Sequence, residues 1–332
     1  MKKRKITVIG SGSWGSAIAF LLNNNGHDVT LWSFKEDEAR SIIQYRENKE
    51  FLPGVHLSEK IYVTSDVEAA ADCEVAVMVV PSAFCENVAK SFAPFLNKNQ
   101  IIVNASKGIH QTALTTLSEV LEGIFPTCSV GVLAGPSHAE EVGRGLPTAC
   151  VTAFREPEIA REIQDIFISN VFRVYAHTDI IGVELGGALK NVIALAAGIC
   201  DGLGFGDNTK AALMTRGIVE ISRLGEAMGA DRQTFSGLTG IGDLIVTCTS
   251  MLSRNRRAGI LIGQGKTLDE ALKEVHMVVE GVVTAKSAHA LAKKLGVEMP
   301  ILEAVNSILF EGKKPADIVM KLMTRDRAFE NL

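Results

Sequence analysis

The sequence predicts an α/β chain: a doubly wound, mostly parallel sheet domain followed by an all-helical domain. Three observations predict it. Continuous apolar, β-branched runs alternate with helical patterns through the first half, as strands buried on both faces do. A glycine-rich turn, G-x-G-x-x-G, joins the first strand to the first helix. After about Thr178 the periodicity becomes helical, and alanine, leucine, glycine and lysine dominate with no clear strand. The expected domains are residues 1–178 and 179–332.

The elements follow in order. KITVIG is a short apolar strand ending in glycine. SWGSAIAFLLNNNG is a helix closed by Gly26, because glycine tolerates the left-handed conformation that ends helices. HDVTLWSF is the second strand. EVAVMVVP, QIIVNASKG, SVGVLAGP and TACVTAF supply further strands, separated by the helices SAFCENVAKSFAPFL and ALTTLSEVLEGIF. EPEIAREIQDIFIS is another helix and VFRVYAH the strand after it.

Composition bounds the function. The chain has 332 residues, is 47% hydrophobic and carries a net charge of −4. That is ample for two cores, and no global positive field recruits nucleic acid or an anionic membrane. No stretch reads as the roughly 18 apolar residues of a membrane span. MKKRK followed by an apolar run mimics a secretory signal, but Gly10, Ser11, Gly12 and Ser13 interrupt the run. The six cysteines (73, 85, 128, 150, 200 and 248) show no CxxC and no metal-ligand spacing with histidine. They read as reduced thiols of a cytoplasmic protein, without a disulfide frame or a metal site.

Gly10-Ser11-Gly12-Ser13-Trp14-Gly15 follows a strand and opens a helix. That is the context of a dinucleotide fingerprint, and so of a Rossmann-type domain. Gly10 permits the tight turn, Gly12 the approach of a pyrophosphate, and Gly15 close packing of helix on strand. The second strand lacks the acid that grips the ribose of NAD. It runs Leu31-Trp32-Ser33-Phe34-Lys35, and the first acid is Glu36. A missing acid beside a lysine leans towards a 2′-phosphate, so NADPH is expected to be favoured over NADH, with Lys35 attracting it.

Ligands in such sheets lie outside the carboxyl ends of the strands. Ala105-Ser106-Lys107-Gly108 and Gly135-Pro136-Ser137-His138-Ala139 both end strands. Lys107 is an anion-binding candidate or a solvated loop lysine, and His138 reads as structural. Gly240-Ile241-Gly242-Asp243 puts an aspartate in an apolar setting, as a helix cap or as a partner for a buried cation. In Ser253-Arg254-Asn255-Arg256-Arg257, Arg254 offers a bidentate fork for phosphate, while Arg256 and Arg257 read as surface charges. ELGGALKNVIALAAGIC, residues 184–200, is an apolar helix with one lysine, Lys190. At 100° per residue Lys190 and Asn191 share a side with Gly187, Ala194, Ala197 and Gly198. Lys190 is a surface lysine, or it projects into a cavity that the small residues leave open.

Taken together, GSGSWGSAIA, ASKG, AGPSHAEE with GLPTA, VELGGALKNVIA, GIGDLIVTCTS, SRNRRAG and VVEGV resemble the bacterial NAD(P)-dependent glycerol-3-phosphate dehydrogenases over about residues 5 to 320. The resemblance implies Lys190 as proton donor and acceptor. It implies Lys107, Gly135, Ser137, Asn191, Asp243, Ser253, Arg254 and Asn255 in the substrate pocket. Ser13, Trp14, Lys107, Ala139, Arg254, Val278 and Glu280 would contact the cofactor. Phe34 departs from the histidine or arginine common in relatives, leaving Lys35 as the substitute. Dihydroxyacetone phosphate and glycerol 3-phosphate are the implied substrates, with a role in phospholipid synthesis, and a homodimer is the implied assembly.

Reduction of that carbonyl makes an alkoxide, which needs a proton. A lysine in water, with a pKa of about 10.4, suits the reverse reaction poorly. Desolvation and repulsion from Lys107 and Arg254 would tune it towards about 7–8, and Asp243 would act oppositely. Two alternatives remain open: a β-hydroxyacid or 6-phosphogluconate-type dehydrogenase, whose motifs are missing, and a non-catalytic NADP-binding sensor.

Overall fold

The computed structural model describes residues 2–96 and 99–325. Met1, at the head of the basic stretch, and residues 326–332, at the end of the expected second domain, lie outside the described residues. The chain divides into two compact units, one of residues up to 107 with 116–184, the other of residues 108–115 with 185 onward.

The first unit carries β1 (Lys5–Ile9), β2 (Asp28–Trp32), β3 (Glu47–Asn48), β4 (Leu52–His56), β5 (Tyr62–Thr64), β6 (Val75–Met78), β7 (Ile101–Asn104), β8 (Ser129–Ala134), β9 (Thr148–Ala153) and β10 (Phe172–His177). Its helices are α1 (Ser13–Asn24), α2 (Glu36–Tyr45), α3 (Val67–Ala70), α4 (Cys85–Phe92), α5 (Leu117–Ile124), α6 (Ala139–Gly143) and α7 (Pro157–Phe167). Eight strands form one sheet in the order β10-β9-β8-β7-β6-β1-β2-β5, and β3 and β4 pair separately. Every neighbouring pair in the large sheet is parallel except β8 with β9. Successive residues of a strand point to opposite faces, and both faces are buried here. Val8 and Val77 join Ile18, Leu22 and Phe167 in one core. Ile9 and Met78 join Trp32, Phe92 and Leu121 in the other. The strand order reverses between β1 and β6, which makes the crevice at their carboxyl ends the place where such a sheet binds ligands.

The second unit is built from α8 (Ile180–Gly202), whose residues from Leu185 belong to it, and from α9 (Asp207–Ala227), α10 (Asp243–Thr249), α11 (Arg254–Gly263), α12 (Leu268–Val275), α13 (Glu280–Leu295), α14 (Pro300–Phe310) and α15 (Pro315–Met323). Among the described residues, none from Leu185 onward lies in a strand. One expectation is corrected here. The helix α8 is long and apolar enough to cross a membrane by length and composition, with a mean hydropathy of 1.6. Yet 94% of its most apolar stretch is buried within the protein, so it is a core helix.

Small residues let that core helix pack closely. A Cβ on Gly198 would lie 2.1 Å from the Arg256 carbonyl oxygen, and one on Gly259 would lie 2.2 Å from the Leu195 carbonyl oxygen. The backbones of α8 and α11 therefore meet where no side chain fits. The space beside Gly198 is filled by α11.

Candidate active site

The glycine turn at the end of β1 has the form its sequence predicts. Gly10 sits at φ +118, a conformation that L side chains rarely adopt, and a Cβ there would lie 2.6 Å from the Val79 oxygen. A Cβ on Gly15 would collide with the Gly10 oxygen, so α1 starts hard against the turn. Around Gly12 the Cβ position is open for 4 Å. No side chain caps the start of α1, which leaves its first N–H groups available to an anion. The indole Nε1 of Trp14 is buried without a hydrogen-bond partner. An open cradle, an uncapped helix start and an orphaned donor fit a dinucleotide pyrophosphate.

The end of β2 differs from expectation. Glu38, in the first turn of α2, reaches back to it. Ser33 Oγ donates to Glu38 Oε2 at 3.2 Å, and Ser11 Oγ lies 2.8 Å from Ser33 Oγ. Lys35 Nζ pairs with Glu38 Oε1 at 3.0 Å. The reading that no acid stands near this strand end is thus corrected: the carboxylate arrives from the following helix, and Lys35 is engaged with it. Phe34 is 76% exposed and meets Trp32 edge to face.

The ends of β7 and β8 bring Lys107 and Gly135 together, with Lys107 Nζ donating to the Gly135 oxygen at 3.4 Å. Gly135 holds φ +144 against Cys150, and Ser137 Oγ donates to the same oxygen at 3.0 Å. Ala139 opens α6, behind His138 as its cap. Glu184, in α8, was not singled out by sequence. Its buried carboxylate accepts from Leu117 N at 2.8 Å, from Asn104 Nδ2 at 2.9 Å and from Ser118 N and Oγ. Burial pushes this carboxyl up to about 7, against the lowering effect of the Ser118 and Leu117 donors.

In the second unit Lys190 is not a surface lysine: it is 5% exposed. Its ammonium pairs with the Asp243 carboxylate and donates to Thr247 Oγ1 at 2.8 Å. Thr247 Oγ1 in turn donates to the Asp243 main-chain oxygen at 2.6 Å, which leaves its lone pair facing the lysine. Asp243 begins α10 after a π-helical turn, Leu238–Gly242, a local bulge of the kind found at functional sites. Of the two roles open to Asp243, the structure shows the cation partner. Thr247 was missed, although four residues beyond Asp243 on a helix is the same face.

Asn255 Nδ2 donates to Asn191 Oδ1 at 2.9 Å, and Gly281 N donates to Asn255 Oδ1 at 2.8 Å. The neighbours of Lys190, Arg254 and Glu280 are thereby joined in one chain. Ser253 caps α11 by accepting from Arg256 N. Arg254 opens that helix, half-buried, while Val278 is exposed just before α13 and Glu280 begins it. Arg256 is corrected from a surface charge: it pairs with Asp201 at 2.8 Å, its side chain 13% exposed. Arg257 is half-buried as well.

These features meet the comparisons with known proteins. Residues 5–160 match the NAD-dependent glycerol-3-phosphate dehydrogenase N-terminus, and residues 179–320 match its C-terminus. The chain belongs to the NAD-dependent glycerol-3-phosphate dehydrogenase family. A glycerol-3-phosphate dehydrogenase [NAD(P)+] of Fusobacterium nucleatum is 56% identical over 329 residues, covering 98% of each chain. That of Bacillus subtilis is 50% identical, covering 98% of this chain and 96% of its own. The crystal structure of glycerol-3-phosphate dehydrogenase from Coxiella burnetii superposes with a TM-score of 0.95 at 36% identity, covering 97% of this chain and 99% of the other. This family member is an oxidoreductase that uses NAD or NADP.

Proposed function

We propose that the protein interconverts dihydroxyacetone phosphate and sn-glycerol 3-phosphate, with Lys190 as the proton donor and acceptor. A bound nicotinamide would supply or accept the hydride at C2. In reduction, the Lys190 ammonium gives a proton to the oxygen that becomes the alcohol. In oxidation, the neutral amine takes that proton back. The observation that carries this reading is the buried trio of Lys190, Asp243 and Thr247. Asp243 stabilises the ammonium, and Thr247 fixes its direction. A preorganised donor in a dry setting needs no reorganisation when charge develops on the substrate.

Gly10, Gly12, Ser13, Trp14 and Gly15 would hold the cofactor's pyrophosphate, and Ala139, Val278 and Glu280 are further proposed contacts. Arg254 and Lys107 are the proposed partners of the substrate phosphate, and Gly135, Ser137, Asn191, Ser253 and Asn255 its further proposed contacts. Asn255 spends both ends of its amide on Asn191 and Gly281, which supports a positioning share in that role. The product's use in glycerophospholipid synthesis, a homodimeric assembly and a cytoplasmic location belong to the same proposal. The first two rest on the family resemblance. The last is supported by Cys73, Cys200 and Cys248, buried thiols that desolvation pushes up to about 11, 11 and 12, as suits inert, reduced cysteines.

The test is oxidation of NADPH and NADH with dihydroxyacetone phosphate, a β-hydroxyacid and 6-phosphogluconate in parallel. Turnover with the first substrate alone is the expected result. Turnover with a carboxylate substrate instead, or none with any, defeats the proposal. Light scattering should give about twice the 35.6 kDa of one chain.

A further inference from the structure

We propose that Glu38 sets the choice between NADH and NADPH, acting from α2 as the carboxylate that β2 itself lacks. The proposal rests on the cofactor site assigned above. Three observations carry it. Gly10 N donates to the Trp32 oxygen at 3.0 Å, so the first glycine of the turn is tied to the end of β2. Ser11 and Ser33, the residues that follow on each side, are both buried and lie 2.8 Å apart through their hydroxyls. Glu38 Oε2 accepts from both, at 3.2 Å from Ser33 and at a longer 3.4 Å from Ser11. The carboxylate is therefore fixed beside the glycine turn. Its neighbour Glu36 pairs with Arg40 along the helix instead.

In a dinucleotide-binding sheet the adenosine ribose lies beside this turn, at the end of the second strand. There the 2′-hydroxyl of NADH donates to a carboxylate. The 2′-phosphate of NADPH, with a charge of about −1.5 to −2, is repelled by one. Lys35 gives the opposite preference, but its ammonium is already held by Glu38 Oε1, and its side chain is 68% exposed. A phosphate must draw Lys35 away from Glu38 and accept the carboxylate next to it. Lys35 and Glu38 thus form an opposed pair that admits both cofactors, and Glu38 is the member that restrains NADPH. A purely structural role is the competing account: an acid in the first turn of α2 favours the helix dipole. Its loss would then weaken both cofactors alike.

The experiment compares wild type, Glu38→Gln and Lys35→Ala. Calorimetry gives Kd for NAD+ and NADP+, and steady-state assays give kcat/KM for NADH and NADPH. Glu38→Gln should raise the NADPH-to-NADH ratio by about tenfold or more, chiefly through a tighter Kd for NADP+, since like-charge contacts are costly at a partly buried site. Lys35→Ala should lower the ratio. An unchanged ratio in Glu38→Gln, or an equal loss for both cofactors with a lowered melting temperature, overturns the proposal. A third variant, Gly12→Glu, fills the turn and should abolish binding of both dinucleotides. Retained binding there would refute the cofactor site itself, a different failure from an unchanged ratio.

Discussion

Lys190 and Asp243 stand 53 residues apart in sequence and form an ion pair whose side chains are 6% and 0% exposed. Removing one partner from such a pair leaves a buried charge uncompensated, at a cost of about 3–5 kcal/mol. Asp243→Asn should therefore destabilise the protein and make the lysine easier to deprotonate. In glycerol phosphate oxidation the neutral amine is the active form. The pH at which oxidation reaches half its maximum should move down in Asp243→Asn. A limb that stays in place would show that Asp243 does not govern the lysine's proton.

Arg254→Ala should harm substrate handling through the phosphate. Loss of a charged hydrogen-bond partner is worth about 1.5–3 kcal/mol in kcat/KM. Unphosphorylated dihydroxyacetone is the control. An equal loss with both substrates would remove Arg254 from the phosphate site.

Stability should carry a signature of Glu184. Its carboxyl, ordinarily near 4.5, is raised to about 7 by burial. Between those values the folded protein holds a proton that the unfolded chain releases. The contribution is full below about pH 4.5 and is lost as pH rises through about 7, on the order of 3 kcal/mol in all. In thermal melts the fall in Tm from pH 5 to pH 8 should shrink in Glu184→Gln relative to wild type. Parallel curves for the two proteins would contradict this. Glu220, in α9 with its carboxylate against the first N–H groups of α14, is raised to about 7 by the same cause and contributes equally to both curves.

A Cβ at Gly198 meets backbone, 2.1 Å from the Arg256 oxygen and 2.9 Å from the Gly259 Cα. Backbone cannot swing aside as a side chain can. Gly198→Ala should separate α8 from α11 and cost at least about 1–3 kcal/mol, read as a lowered midpoint in urea unfolding. An unchanged midpoint would mean that the two helices have slack.

The parts legible in sequence were those with strong local signals. The buried apolar strands β6 to β9 and the glycine turn announce themselves because their burial and backbone demands are written in consecutive residues. The segment from α2 to α3 does not. Helix α2 buries only Ala39 and Ile42, and β5 is a three-residue edge strand with Tyr62 exposed, so neither shows a clear period. The lysine at position 190 stood out as the lone cation on an apolar helix. Its surroundings did not: small residues leave space, and only the fold shows whether backbone or ligand fills it. Glu38 was hidden for the same reason. It lies three residues beyond Lys35, and its approach to Ser33 depends on how α2 leaves the strand.

In the proposed reaction Lys190 moves the proton. Single-turnover reduction of dihydroxyacetone phosphate by Lys190→Ala, measured beside the Kd for NADPH, tests it most directly. The hydride-transfer rate should fall by roughly 10²–10⁴-fold, the usual worth of general acid catalysis, while the Kd stays near the wild-type value. A mutant that keeps more than about a third of the wild-type rate, well short of that range, would contradict the assignment.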